Sequence, residues 1–151
     1  MPKAEKEEDL LAEAEIVAVV LSKYPDRYDG YMKIDSLGYR LDGLLTKRHD
    51  YGYAVPQMFY ECKNLKQRFR QHPDYFISHS KVAEGMRLTQ MTHLRSLILA
   101  RFEGGLIASC DMARFRGQCR FGAKQMFVHD DETLAIFQWE DFVILHEPGI
   151  A

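Results

Sequence analysis

The stretch Arg40-Leu41-Asp42-Gly43, with Phe59-Tyr60-Glu61-Cys62-Lys63 behind it, decides how this chain is read. Residues 39–46 and 53–63 have strand character, and the polar cluster 47–52 between them reads as a hairpin loop. Residues two apart on a strand share a face, so Glu61 and Lys63 point the same way, and Asp42 on the antiparallel neighbour lies across from them. Converging carboxylates repel unless a cation sits between them. Hard oxygen ligands with open positions suit Mg²⁺ or Mn²⁺ rather than zinc. Such an ion polarises a phosphoryl oxygen and lowers the pKa of a bound water, and Lys63 would hold or deprotonate that water or stabilise charge on the phosphate. An acid and a lysine two apart also describe an ordinary exposed ion pair, worth at most about 1 kcal/mol. The surroundings weigh against that: Phe59, Tyr60 and Cys62 mark a buried strand end, Asp42 sits among Leu41, Leu44 and Leu45, and buried acids are rare without a partner.

Working outward, residues 9–24 have helical periodicity with Leu10, Glu13, Ala14, Val17, Val20, Leu21 and Tyr24 on one side. Glu13 is an acid on that apolar stripe and either reaches the same cation or snorkels at the stripe's edge. Pro25, Asp26, Asp29 and Gly30 end the helix and turn the chain into a strand over 31–37. Pro56 makes the early part of 53–63 an edge or a bulge, which leaves 58–63 as the well-paired portion. Residues 64–85 show no sustained period and read as a long connection. A second helix is expected over 88–102, with Leu94, Leu97, Ile98 and Arg101 at helical spacing and Gly104-Gly105 as its stop. Strands are expected at 106–111 and 124–128, and 139–146 is a short last helix or strand. Residues 1–8 are expected to fray. The whole, 1–151, reads as one α/β domain with a mixed central sheet flanked by helices.

Composition agrees with that class: 151 residues, 46% hydrophobic and 28% charged, exclude collagen-like, disordered and coiled-coil chains. The longest apolar run, residues 16–21, is too short for a membrane span and follows acids, so a cytoplasmic protein that binds no membrane is expected. Cys62, Cys110 and Cys119 match neither a disulfide framework nor a zinc motif and should be reduced thiols. The net charge of −2 conceals an uneven distribution: residues 40–124 carry 15 Lys and Arg against 7 Asp and Glu, while both ends are acidic. Lys66, Arg68, Arg70, Lys81 and Arg87, interleaved with Phe69, Tyr75 and Phe76, suit a polyanion, or else are solvated faces balanced in space by the acidic ends. The six histidines lack metal-ligand spacing, and no nucleophile elbow or phosphate-binding glycine loop occurs.

Helix-Glu13, strand-Asp42 and strand-Glu61-Cys62-Lys63, then Arg87-Leu-Thr-Gln90 leading to Leu94 and Gly104-Gly105 before a strand, resemble the PD-(D/E)XK nuclease superfamily over roughly residues 10–115. Within it the chain looks most like the Holliday-junction resolvases of archaea and their viruses and phages. The resemblance implies a restriction-endonuclease-like core in which Asp42 and Glu61 bind Mg²⁺, or Mn²⁺ in its place, with help from the Cys62 carbonyl. Lys63 would be the catalytic lysine, Glu13 (or Glu15) the helix-borne acid and Gln90 the helix glutamine. Ser36, before the metal aspartate, and Arg40 join Lys66, Arg68, Arg70, Lys81 and Arg87 as implied DNA contacts. Leu41 stands where the superfamily usually has proline, and the acidic amino terminus departs from the basic one of many resolvases. The implied activity is metal-dependent hydrolysis of branched DNA, the four-way junction of recombination and repair, in a prokaryotic or phage-infected cell. A junction's two-fold symmetry suits a homodimer, and the apolar tail Leu134, Ile136, Phe137, Trp139, Phe142, Val143, Ile144 and Leu145 offers an interface or completes the monomer core. Other expectations are a nuclease of the same fold with a different DNA substrate, or an inactive DNA-binding or assembly module.

Overall fold

In the computed structural model, residues 7–34, 41–123 and 131–149 are described. The first helix, α1 (Glu7–Lys23), opens with Glu7, Glu8 and Asp9, acids that complement the positive end of the helix dipole. Glu7 and Glu8 therefore belong to its first turn and not to a frayed end. Ala12, Glu13, Ile16, Val17 and Val20 are buried. The stripe is turned slightly from the expected one, leaving Leu10 44% exposed.

Strands β1 (Gly30–Lys33), β2 (Gly43–Arg48) and β3 (Ala54–Asn64) form an antiparallel meander. A register shift falls between Leu45 and Thr46, where Thr46 meets Pro56. The proline thus sits at a bulge, because it has no N–H for a regular ladder. From Met58 onward β3 also pairs in parallel with β5 (Arg95–Arg101). The six-stranded sheet has the order β1-β2-β3-β5-β6-β9, with β6 (Ile107–Asp111) and β9 (Phe142–His146) antiparallel to their neighbours.

A parallel pair needs a crossover, and here it contains β4 (Tyr75–Ser78) and the second helix, α2 (His79–Thr92). This corrects two expectations. Residues 64–85 are not one structureless connection, and of the helix expected over 88–102 only 88–92 are helical, as the end of α2, while 95–101 are strand β5. Helix α2 stops at His93, whose left-handed φ of 63° lets its N–H bond back to the carbonyl of Thr89. The spacing of Leu94, Leu97, Ile98 and Arg101 fits a helix, but residues 98–100 are fully buried because this is a central strand covered on both faces. Gly104 and Gly105, at φ 91° and 97°, form the tight turn between β5 and β6 and do not end a helix. Strand β4 pairs with β8 (Asp131–Phe137), which pairs with β7 (Cys119–Ala123), giving a second, three-stranded antiparallel sheet. The expected strand at 124–128 lies outside the described residues. Residues 139–146 form a 3₁₀ turn followed by β9.

Helix α1 covers one face of the large sheet with Ile16, Val17 and Val20 against Tyr60, Leu99 and Leu145. On the other face, Phe59, Ile98 and Ala100 pack with Val82 of α2 and with Tyr75, Phe137, Trp139 and Phe142. The result is the mixed α/β architecture expected, a central mixed sheet flanked by helices, with the order α1-β1-β2-β3-α2-β5 interrupted only by β4. Most of the apolar tail completes this core; Val143 and Ile144 remain exposed on β9, an edge strand. The three cysteines are free thiols. No described helix is long and apolar enough to cross a membrane.

Candidate active site

Gly43 pairs with Tyr60, so Asp42, one residue before β2, stands opposite Glu61. Its backbone N–H donates to the carbonyl of Tyr60 at 3.0 Å, and its Oδ2 accepts the N–H of Cys62 at 2.7 Å. The carboxylate thereby prolongs the ladder, and its position is fixed by backbone.

Glu61 is 3% exposed on β3, the last strand of the meander and an inner strand of the six-stranded sheet. Its Oε2 is 3.5 Å from Lys63 Nζ and 3.3 Å from Lys81 Nζ. Its Oε1 is buried with no hydrogen-bond partner among the described residues, an arrangement that costs free energy unless something else satisfies it. Burial, and then the charge of Asp42, push the Glu61 carboxyl up to about 7, although Lys63 and Lys81 pull the other way.

Tyr60 points to the opposite face of β3 from Glu61, and its hydroxyl donates to Glu13 Oε2 at 2.8 Å. Lys33 of β1 donates to the other oxygen at 2.5 Å. Glu13 is buried, and burial raises its carboxyl above the ordinary range against the pull of Lys33 and Tyr60. The approach depends on Gly43, since a Cβ there would lie 2.5 Å from the Tyr60 hydroxyl and 2.5 Å from the carbonyl of Met32. Glu13, Asp42, Glu61, Lys63, Asp9 and Asn64 line one cleft of about 280 Å³ at the end of the sheet. Glu15 turns away and pairs with Arg101 at 2.6 Å.

The remaining residues divide. Lys81, expected as a DNA contact, is in the first turn of α2 and reaches Glu61 directly. An antiparallel crossover helix brings its N-terminal end to the C-terminal end of the preceding strand, but no local pattern marks Lys81, so only the topology exposes this role. Gln90 is not brought to the carboxylates: it lies nine residues further on, roughly 14 Å along the helix, in a shallow groove with Ala83, Met86, Arg87 and Thr89. Arg87 is paired to Glu84, which is buried. Lys66, Arg68 and Arg70 are exposed on the segment after β3, with Arg70 over the ring of Phe69. Ser36 and Arg40 lie outside the described residues.

No family model matches this chain, and no curated protein matches it. Among solved structures it is similar to Archaeoglobus fulgidus Hjc, a Holliday junction resolvase from an archaeal hyperthermophile. The two share 5% sequence identity at a TM-score of 0.45, over 80% of this chain and 85% of that one. A likeness at that level transfers no residue roles, which must come from the cleft itself.

The donor set suits a hard divalent cation. Two carboxylates from adjacent strands face each other, one oxygen of Glu61 has no hydrogen-bond partner among the described residues, and the charge of Asp42 raises the cost of ionising Glu61. Among the described residues no group of three His, Cys, Asp or Glu side chains is assembled for a metal, and Glu13 is already held by Lys33 and Tyr60. That count fits Mg²⁺, which keeps several waters and takes one or two carboxylates plus substrate phosphate, better than a cation that needs a full protein cage.

Proposed function

We propose that this chain is a Mg²⁺-dependent DNA endonuclease that hydrolyses phosphodiester bonds, with the four-way junction as its substrate. The observation that carries the reading is the pairing of Asp42 with a buried Glu61 that has an unsatisfied oxygen, with Lys63 one strand step further on. Asp42 and Glu61 would hold the ion, helped by the Cys62 carbonyl, and Mn²⁺ would substitute for Mg²⁺. When bound, the ion supplies Lewis-acid polarisation of a phosphoryl oxygen and a more acidic water.

The chain's own groups account for the rest. The Cys62 N–H holds Asp42 in place. The ammonium of Lys63, partly exposed at the cleft and 3.5 Å from Glu61, would neutralise charge that develops on the phosphate or donate a hydrogen bond that holds the attacking water. Lys81 restrains the same carboxylate from the helix side. Glu13, fixed by Tyr60 and Lys33, supplies the acid that faces Asp42 from α1. Lys66, Arg68 and Arg70, with no acidic partner among the described residues, supply charge for the DNA backbone next to the cleft.

The junction as substrate follows from the sequence resemblance and calls for two opposed cuts, which a homodimer with one cleft per subunit makes in one encounter. The exposed Val143 and Ile144 on edge strand β9 support a contact between copies. The test is a cleavage assay on a four-way junction, a linear duplex and a flap, combined with light scattering. A dimer cutting junctions fastest supports the proposal. A monomer cutting duplex as fast as junctions removes the junction assignment and leaves the nuclease. Binding without any cutting would favour the inactive-module reading.

A further inference from the structure

The β2–β3 hairpin carries a second feature far from the cleft. Residues 54–57 of β3 have no partner on β5, so the hairpin reaches past the body of the large sheet, and residues 48–54 are all exposed. Surface tips of this kind are normally polar, but this one presents Tyr51 at 84% and Tyr53 at 57% exposure. Both phenol rings lie parallel to the imidazole of His49, with centroids 5.1 Å and 5.0 Å away and planes within 19° and 8°. Hydrogen bonds and an ion pair tie the tip to its surroundings. The Arg48 N–H donates to both oxygens of Asp29, Lys47 pairs with the same carboxylate, and the Tyr51 N–H donates to His49 Nδ1. The three rings belong to neither hydrophobic cluster of the described residues, so core packing does not explain their ordering.

We propose that the tip formed by His49, Tyr51 and Tyr53 is a stacking platform for unpaired nucleobases of the DNA substrate. Flat, pre-ordered π-faces beside a cation are what an extrahelical base requires, and stacking is tolerant of sequence because every base has such a face. The cation is Arg48, whose guanidinium donates to the carbonyl of Gly52 and meets no carboxylate among the described residues, leaving its charge for a phosphate. The platform and the cleft lie at opposite ends of the same strand pair, seven residues apart from Asp42 to His49, or roughly 20 Å. A strand whose scissile phosphate occupies the cleft would place bases several nucleotides away at the tip. This proposal rests on DNA being the substrate and deepens that reading: it assigns to the hairpin the capture of bases that unpair, as at an opened branch point, and leaves the cut to the cleft.

The experiment measures affinity by fluorescence anisotropy in EDTA for two labelled DNAs of equal length, a perfect duplex and a duplex with a central unpaired bubble. Wild-type protein should prefer the bubble by about ten-fold or more. Tyr51→Ala with Tyr53→Ala should collapse that preference towards one, and Tyr51→Phe with Tyr53→Phe should retain it, because stacking needs the ring and not the hydroxyl. Equal loss on bubble and duplex, or no loss on either, would overturn the proposal. Cleavage by wild-type protein in Mg²⁺ is scored separately. Retained bubble preference without cutting would count against the nuclease reading alone, and cutting without bubble preference against the platform alone.

Discussion

Raising the pH of the metal-free protein from 4.5 to 8 is expected to cost it about 3 kcal/mol through Glu61 alone. The carboxyl titrates near its ordinary 4.5 when the chain is unfolded and near 7 in the folded cleft. Below 4.5 both states are protonated and Glu61 imposes no penalty. Between 4.5 and 7 the unfolded chain releases the proton while the folded one retains it, so stability falls; above 7 the full penalty is in place and the contribution is flat. At about 1.4 kcal/mol per pKa unit the penalty is of the order quoted, or roughly 6–12 °C in Tm for a domain of this size. Glu61→Gln cannot ionise and should lack this slope. The assay is thermal unfolding of both proteins in EDTA at intervals from pH 4.5 to 8, with the variant subtracting all other titrating groups. Curves that run parallel would refute the reasoning, because Glu61 would then not be a desolvated acid held against Asp42. Adding Mg²⁺ at pH 8 to 100 times its Kd should return about 2.7 kcal/mol to the wild type and little to the variant.

Gly43→Ala should lower activity and cost about 1–3 kcal/mol, since its methyl group overlaps the Tyr60 hydroxyl that holds Glu13; denaturant melts and a cleavage rate check both. Lys63→Ala should remain folded yet fall about 10²-fold or more in cleavage rate, whereas Gln90→Ala, far along α2, should cut at the wild-type rate. Replacing Lys66, Arg68 and Arg70 together should weaken DNA binding and reduce the slope of log K against log salt by about 0.9 for each phosphate that is no longer neutralised. An unchanged slope in a salt titration would place the DNA surface elsewhere.

The cleft is legible in the sequence because strand geometry is local. Once Asp42 and Glu61 are assigned to adjacent antiparallel strands, a period of two and a short hairpin bring them face to face, as the Gly43 and Tyr60 register shows. The crossover is not legible. Residues 98–100 are buried on both sides, so the alternation that distinguishes a strand from a helix is absent, and the αL stop at His93 carries no glycine to mark it. The four residues of β4 are too few for a period to emerge, and its partner β8 is more than 50 positions away. A helix expected nine residues too late puts Gln90, rather than Lys81, at the carboxylates. The ring stack on the hairpin escapes a sequence reading because 47–52 reads as turn residues, and nothing in a turn's composition says that its side chains are ordered against each other.

Whether Asp42 and Glu61 hold a cation needed to cut DNA is tested by cleavage of a labelled four-way junction by wild-type protein and by Asp42→Asn, each in Mg²⁺ and in EDTA. Asparagine keeps an oxygen to accept the Cys62 N–H, so the fold should survive while a ligand charge is removed. Cutting by the wild type in Mg²⁺ alone, with none in EDTA and none by the variant while binding persists, is the predicted result. Cutting by the wild type in EDTA, or by Asp42→Asn at the wild-type rate, would contradict the account.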